Sequence, residues 1–209
     1  MSNKNLLKNI KWLGHAGFLI NEKAGIYIDP YNLGFPDVGD MVLVTHDHAR
    51  HCVPEEIKWL RKGSTVIVVP EQCADKFQGD IRTVKAGDVI TVKGVKIEVL
   101  PAYTTANPRH SKESGGLGYI ITMSDGIRVY HTGDTSLIPE MKEGIADIVL
   151  IPIGGETSMD AAQAAAAVNK MKPKIAVPMH WLPGKEGQAE AERFCSLCET
   201  EAVILKPVR

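Results

Sequence analysis

The run His46-Asp47-His48-Ala49-Arg50-His51 follows directly on an apolar stretch ending at Val44. Neutral imidazole is a borderline ligand suited to zinc and similar divalent ions. Two histidines two residues apart on a loop can face one ion. His51, where a helix begins, can turn toward a neighbouring position. Four more residues of the right type lie at strand-like ends or in loops: Asp29 closing GIYID, His110 in TTANPRHSKESGG, Asp134 in HTGDT and His180 closing IAVPMH. A carboxylate such as Asp134 can bridge two metals. A bound metal lowers the pKa of water toward ~7, which makes hydroxide available as a nucleophile at neutral pH. Taken singly, His180 reads as a satisfied core histidine and Asp134 as a turn or cap residue. Their joint placement with HxHxxH points to a metal site. Arg50 is the oddity, a fixed cation among would-be ligands of a cation.

Those residues need strands to carry them. Short apolar runs at 17–20, 25–28, 41–44, 65–69, 89–92 and 95–100 read as strands separated by turn residues. CVPEEIKWLRKG has Pro54 near its start, acids in the first turn and Gly63 at its end, which punctuates a helix. The later half repeats the scheme. Strands are expected at 117–123, 128–131, 148–153 and 175–178, a helix after Ser158 or Asp160 as N-cap, a last helix over 188–199 and a last strand over 202–205. Two batches of strands with helices argue for an α/β sandwich, two sheets face to face with helices outside. No linker or low-complexity tract divides the chain, so one domain spanning residues 1–209 is expected.

Composition narrows the partners. Lys plus Arg minus Asp plus Glu is 24 − 25 = −1, which gives no reason to expect nucleic acid or an anionic membrane. The longest apolar runs are strand-length, and MSNKNLLKNI lacks the apolar core of a signal peptide. A cytoplasmic protein acting on a small molecule is expected, with a homo-oligomer left open. Disulfides are not expected among the four cysteines. Cys195 and Cys198, in CSLC, have no second CxxC to complete a zinc knot and read as small buried side chains on a helix.

With the motifs laid out, THDHARH, GDT and PMH, preceded by IDP, resemble the metallo-β-lactamase fold superfamily of metal-dependent hydrolases. WLGHAGFLI, IDPY, PAYTT, GLGYII, RVYHTGDT, IPIGG, TSMDAAQAA and KPKIAVPMHW resemble the bacterial and archaeal branch that includes ascorbate-6-phosphate lactonase-like and N-acyl-phosphatidylethanolamine phospholipase D-like enzymes. The resemblance runs from Trp12 to about Trp181. It implies a four-layer αββα sandwich and hydrolysis of an ester, lactone or phosphodiester by a metal-bound hydroxide. It implies that His46 and His48 bind a first metal with a third histidine. In many relatives that histidine directly follows the PAY stretch, where this chain has Thr104, so His110 is expected to replace it. It also implies that His51 and His180 bind a second metal, that Asp134 bridges, and that Asp29 fixes the ligand loop through hydrogen bonds. His15 and His131 fall in motif positions and are expected to support the site without ligating. The implied metal is zinc, with manganese or iron as alternatives, and one ion, with two as the alternative.

The chain departs from the family at one ligand. The family motif is HxHxDH, and Arg50 stands where it has aspartate, a ligand of the second metal. Asp47 should point away from the ligands. Three readings follow. Arg50 takes the electrostatic place of a second ion, since one divalent ion with Arg50 and Asp134 carries the same formal charge as two with two aspartates. The protein is instead a degenerate relative that binds a ligand without turnover. Or Arg50 turns to solvent and a second ion still binds through His51, Asp134 and His180. In the first reading Arg50 acts with Asp134 in catalysis, gripping an anionic group or the developing oxyanion.

Overall fold

A computed structural model describes residues 5–34, 36–105, 107–155 and 157–208. Thirteen strands and three α-helices are assigned among them. The first sheet has the order β1 (Ile10–Gly14), β2 (Gly17–Asn21), β3 (Gly25–Ile28), β4 (Gly39–Leu43), β5 (Arg61–Pro70), β6 (Asp80–Val84). The second has, from edge to edge, β13 (Glu201–Ala202), β12 (Ile175–Met179), β11 (Ile148–Pro152), β10 (Arg128–His131), β9 (Leu117–Thr122), β8 (Val95–Pro101) and β7 (Val89–Val92). Each sheet begins antiparallel and turns parallel: β3 to β6 run parallel in one, β10 to β13 in the other.

The layers follow from which faces are apolar. Phe18, Ile28, Leu43, Tyr119, Val129, Leu150 and Val177 meet between the sheets. The outer face of the first sheet buries Ile57 and Leu60 of α1 (Pro54–Leu60) against Val42 and Ile67. The outer face of the second buries Ala164, Val168 and Met171 of α2 (Ala161–Met171) and Ala191 and Phe194 of α3 (Lys185–Leu197). The central strands β11 and β12 are buried on both faces, so their sequences are continuous apolar runs. The result is the αββα sandwich that the strand pattern and the resemblance both implied. Among the described residues, no helix is long and apolar enough to cross a membrane.

Of the two N-cap candidates for α2, Asp160 is the cap: it accepts from the Gln163 backbone N–H while the Gln163 side chain accepts from its own, a capping box. Two strands lacked a clear apolar run, and they are the two edges of the first sheet. β1 has exposed Lys11 among its apolar residues, and β6 buries only Val84. An edge strand pairs on one side only and carries charges there without loss. The last strand is shorter than expected, and α3 starts earlier, at Lys185. Cys195 and Cys198 lie half-buried beside the outer core of the second sheet, and all four cysteines are free.

The parallel registers bring the carboxyl ends of β3, β4, β10 and β12 to one edge of the sandwich. Ile28 pairs with Leu43, and Pro152 pairs with Met179. Such an edge is where α/β sheets place ligands. Hydrogen bonds tie the sheets together there, among them one from the Tyr119 hydroxyl to the Val44 carbonyl at 2.6 Å. The Leu117 N–H donates to the Thr45 carbonyl at 2.9 Å, His131 Nε2–H to the Ala16 carbonyl at 2.8 Å, and the His180 N–H to the His15 carbonyl at 2.8 Å.

Candidate metal centre

Asp29 is the hub of the first-sheet side. It follows β3 in a left-handed conformation, φ 43°, and is wholly buried. Its Oδ1 accepts from the Thr45 N–H at 2.8 Å. Its Oδ2 accepts from the Thr45 hydroxyl at 2.5 Å and from His51 Nδ1–H at 2.7 Å. The single hydroxyl hydrogen of Thr45 is thereby used. Thr45 Oγ1 can only accept from His46 Nδ1–H, 2.9 Å away. One carboxylate therefore fixes two tautomers, leaving a lone pair on Nε2 of His46 and Nε2 of His51 as the inward-facing nitrogen. A carboxylate behind a histidine is the usual support of a metal-binding imidazole.

His46, His48 and His110 form one group, their donor atoms all within 4.8 Å of one another. His110 reaches it from a loop. Asn107 caps a short 3-10 turn, Pro108–His110, by accepting from the Arg109 N–H, and the Thr104 N–H donates to the His110 carbonyl at 2.7 Å. The loop folds back on itself, and His110 takes its place with its ring centroid 4.4 Å from that of His48. Asp47 points away and pairs with Lys76 at the surface.

The second-sheet side centres on Asp134. Gly133 seats it: φ is 65° there, and a Cβ would collide with the Leu117 carbonyl. Three imidazoles converge on Asp134 Oδ2, with Nε2 of His180 at 3.0 Å, of His51 at 3.6 Å and of His46 at 3.9 Å. Gly154 lies so close to the carbonyl and ring of His180 that any Cβ would displace them. His15 sits at the tip of the β1–β2 turn and faces His51 and His180, and the donor atoms of these three also lie within 4.8 Å of one another. Neither sequence spacing nor the resemblance gave His15 a place among potential ligands. The flanking glycines, Gly14 and Gly17, were the local sign of a tight turn, and Gly14 and His15 both adopt positive φ there. His131 is different: Nε2–H donates to Ala16 and Nδ1 accepts from the Gly133 N–H, so both ring nitrogens are satisfied.

Nε2 of His46, Nε2 of His110, Nδ1 of His15 and Oδ1 of Asp134 are buried with no hydrogen-bond partner among the described residues. Buried polar atoms are normally paired, so four orphans spread over the two histidine groups call for a partner the protein itself does not supply. Neutral imidazoles and a carboxylate are the donor set of zinc and similar divalent ions, so the residues fit a metal.

Burial pushes the pKa of His46 well below 6.5, and burial likewise lowers those of His48 and His110. Burial, with His180 and His51 nearby, takes His15 down to about 3. Burial works against the charge of His51, but Asp134 and Asp29 outweigh it and raise its pKa. Burial also opposes ionisation of Asp134, and His51, His180 and His46 together still hold it well below the carboxylate range. The sign for stability follows. Histidines kept neutral in the fold protonate near 6.5 once unfolded, so below that pH the unfolded state binds more protons. His51 contributes in the opposite direction, but five lowered histidines, the buried His131 among them, outnumber one raised. Metal-stripped protein is expected to unfold at lower urea at pH 5.5 than at pH 7. An equal or higher midpoint at pH 5.5 would contradict this.

Two cavities flank the histidines. One, of about 240 Å³, is lined by His46, His48, His110, Gln72 and Arg109. The other, of about 290 Å³, is lined by Trp12, His15, Tyr31, Arg50 and Trp181. Arg50 is exposed at its rim. Among the described residues no carboxylate pairs with it, and the groups meeting Asp134 are histidines. Sequence reasoning had assigned no role to Arg109, Tyr31 or Trp181.

Comparison with known proteins gives the fold and the family. Residues 9–180 match the family model described as a beta-lactamase superfamily domain. The chain is 33% identical to a UPF0173 metal-dependent hydrolase of Thermococcus kodakarensis over 218 residues, covering 95% of this chain and 96% of that one. A crystal structure of a Parabacteroides distasonis protein, named for metal-dependent hydrolysis, superposes with a TM-score of 0.81 at 30% identity, covering 94% of this chain and 93% of that one. Igni18, a metallo hydrolase of Ignicoccus hospitalis, has a TM-score of 0.76 at 23% identity over 96% of this chain and 95% of its own, and shares the fold. The chain belongs to the metallo-β-lactamase superfamily and is a metal-dependent hydrolase of its UPF0173 family.

Proposed function

We propose that the chain hydrolyses an ester, lactone or phosphodiester of a small, anionic molecule, with a divalent cation held by His46, His48 and His110 against Asp134. The observation that carries this reading is the set of buried donor atoms without partners that converge at the carboxyl ends of the strands. Zinc is the proposed ion, with manganese and iron as alternatives, because the donor set is imidazole and carboxylate. Bound there, a divalent cation supplies Lewis acidity and makes water acidic enough to ionise near neutral pH. Choosing lactones and phosphodiesters follows the likeness of the motifs to the lactonase-like and phospholipase D-like branch.

The remaining work falls to the protein's own groups. Asp29 and Thr45 hold His46 and His51 in the tautomers described above. Asp134 keeps a negative charge at the junction of the two histidine groups. Arg50, unpaired among the described residues and at the rim of the aromatic cavity, is placed to grip an anionic group with its fork of donors. Trp12, Tyr31 and Trp181 offer an apolar wall beside it. Arg50 is thus a substrate-binding residue in this reading.

The test is turnover of aryl esters, lactones and aryl phosphodiesters by protein reloaded with zinc, manganese or iron, with His46→Ala as control. Hydrolysis of one class, lost in His46→Ala, supports the proposal. No turnover of any class with any of the three ions would favour a ligand-binding relative without catalysis. Arg50→Ala is expected to raise KM for anionic substrates by about 10–100-fold, the loss of a charge-assisted hydrogen bond worth ~1.5–3 kcal/mol, with kcat retained. An unchanged KM would remove Arg50 from the substrate site.

A further inference from the structure

We infer that His15 joins His51 and His180 in holding a second divalent cation beside Asp134, supplying the ligand that Arg50 does not. The inference rests on the metal-dependent reading above and extends it to a residue expected from sequence only to support the site.

Four observations carry it. The donor atoms of His15, His51 and His180 lie within 4.8 Å of one another. Nδ1 of His15 is buried and has no hydrogen-bond partner among the described residues. A histidine that only fills space is expected to look like His131, whose two ring nitrogens are both satisfied. His51 has committed Nδ1 to Asp29, so it offers Nε2, and that nitrogen and Nε2 of His180 both approach the same oxygen of Asp134, at 3.6 and 3.0 Å. Three imidazoles and one carboxylate complete a four-ligand set.

The backbone is built to hold this geometry. The carbonyl of His15 accepts from the His180 N–H at 2.8 Å and from Trp12 Nε1–H at 2.9 Å. The turn of the first sheet is thereby clamped to the end of β12 in the second. His15 and His180 have φ of 51° and 61°, a region that non-glycine residues seldom occupy. The ring centroids of these two residues are 4.0 Å apart. Arg50 stays at the solvent-exposed rim, where its charge is screened. Its repulsion makes the second ion bind more weakly than the first without barring it.

The experiment is a count of metal per chain. Metal-stripped protein is titrated with cobalt(II), with visible absorption following coordination and mass spectrometry giving the bound metal. The unaltered chain is expected to take two equivalents, the second more weakly, and His15→Gly only one. Glycine is chosen because it adopts positive φ without strain and keeps the carbonyl contacts. Retention of the first equivalent shows that the variant is folded. One equivalent in both proteins overturns the second site and leaves the first intact. Two in both overturns His15 as a ligand. None in either overturns the metal-dependent reading beneath. Should His15→Gly lose both equivalents, His15→Asn, a residue that tolerates positive φ, decides: one equivalent supports the inference, and two overturns it.

Discussion

His110→Ala is expected to lower affinity for the first divalent cation by more than the roughly 10–100-fold that loss of a supporting partner costs. The reasons are local. His110 meets His46 and His48 across a loop, and its Nε2 is buried without another partner. Removing it leaves two protein nitrogens, while Asp134 and the second histidine group stay in place. Turnover should fall with metal occupancy and recover in part at excess metal. The measurement is competition for zinc against a chromophoric chelator, with wild type alongside. Equal affinity would show that His110 is not the third ligand, and that another group meets His46 and His48. Because the resemblance puts a histidine at the position of Thr104, this variant also tests whether the fold of the loop, rather than local sequence, completes the site.

Asp29→Asn should be almost as damaging, although both Asp29 oxygens are already engaged by Thr45 and His51. Asparagine tolerates the left-handed backbone at this position, φ 43°, so the change is chiefly one of protons. Asp29 Oδ2 accepts from both the Thr45 hydroxyl and His51 Nδ1–H. An amide NH2 placed there donates instead. His51 Nδ1 must then accept, which moves its proton to Nε2. The Thr45 hydroxyl is freed to donate to His46 Nδ1, with the same consequence for His46. Two nitrogens that should carry lone pairs toward the ion would carry hydrogens. A loss of about 10–100-fold in metal affinity is expected. Nitrogen NMR of the labelled imidazoles should report the tautomer change in the metal-free variant. Affinity within twofold of wild type, with unchanged tautomers, would show that Asp29 only braces the loop.

Much of this protein was legible in its sequence. β11 and β12 are buried on both faces, and continuous apolar runs show it. α1 and α2 carry their own start signals, Pro54 and a cap at Ser158 or Asp160, of which the structure selects Asp160. Asp29, His46, Asp134 and His180 follow strands, and chain direction alone puts parallel strand ends at one edge. The two edge strands of the first sheet were not legible, because a strand paired on one side needs no apolar run to declare it.

Only the tertiary structure decided the rest. His15 and His180 come from opposite ends of the chain, and nothing in either neighbourhood announces the other. Their approach depends on the two sheets closing face to face, with the His180 N–H meeting the His15 carbonyl across the gap. His110 depends on a loop whose path is set by the bond from the Thr104 N–H to the His110 carbonyl, a contact that no periodicity reports. Arg50 could be read from sequence as a cation beside a cation site. Whether it entered that site or faced water depended on how the run from His46 to His51 turned into α1, and the burial of His51 sends the neighbouring Arg50 outward. Sequence determined which groups can do chemistry and which elements carry them. The packing of one sheet on the other decided which groups meet, because those contacts join residues far apart in the chain.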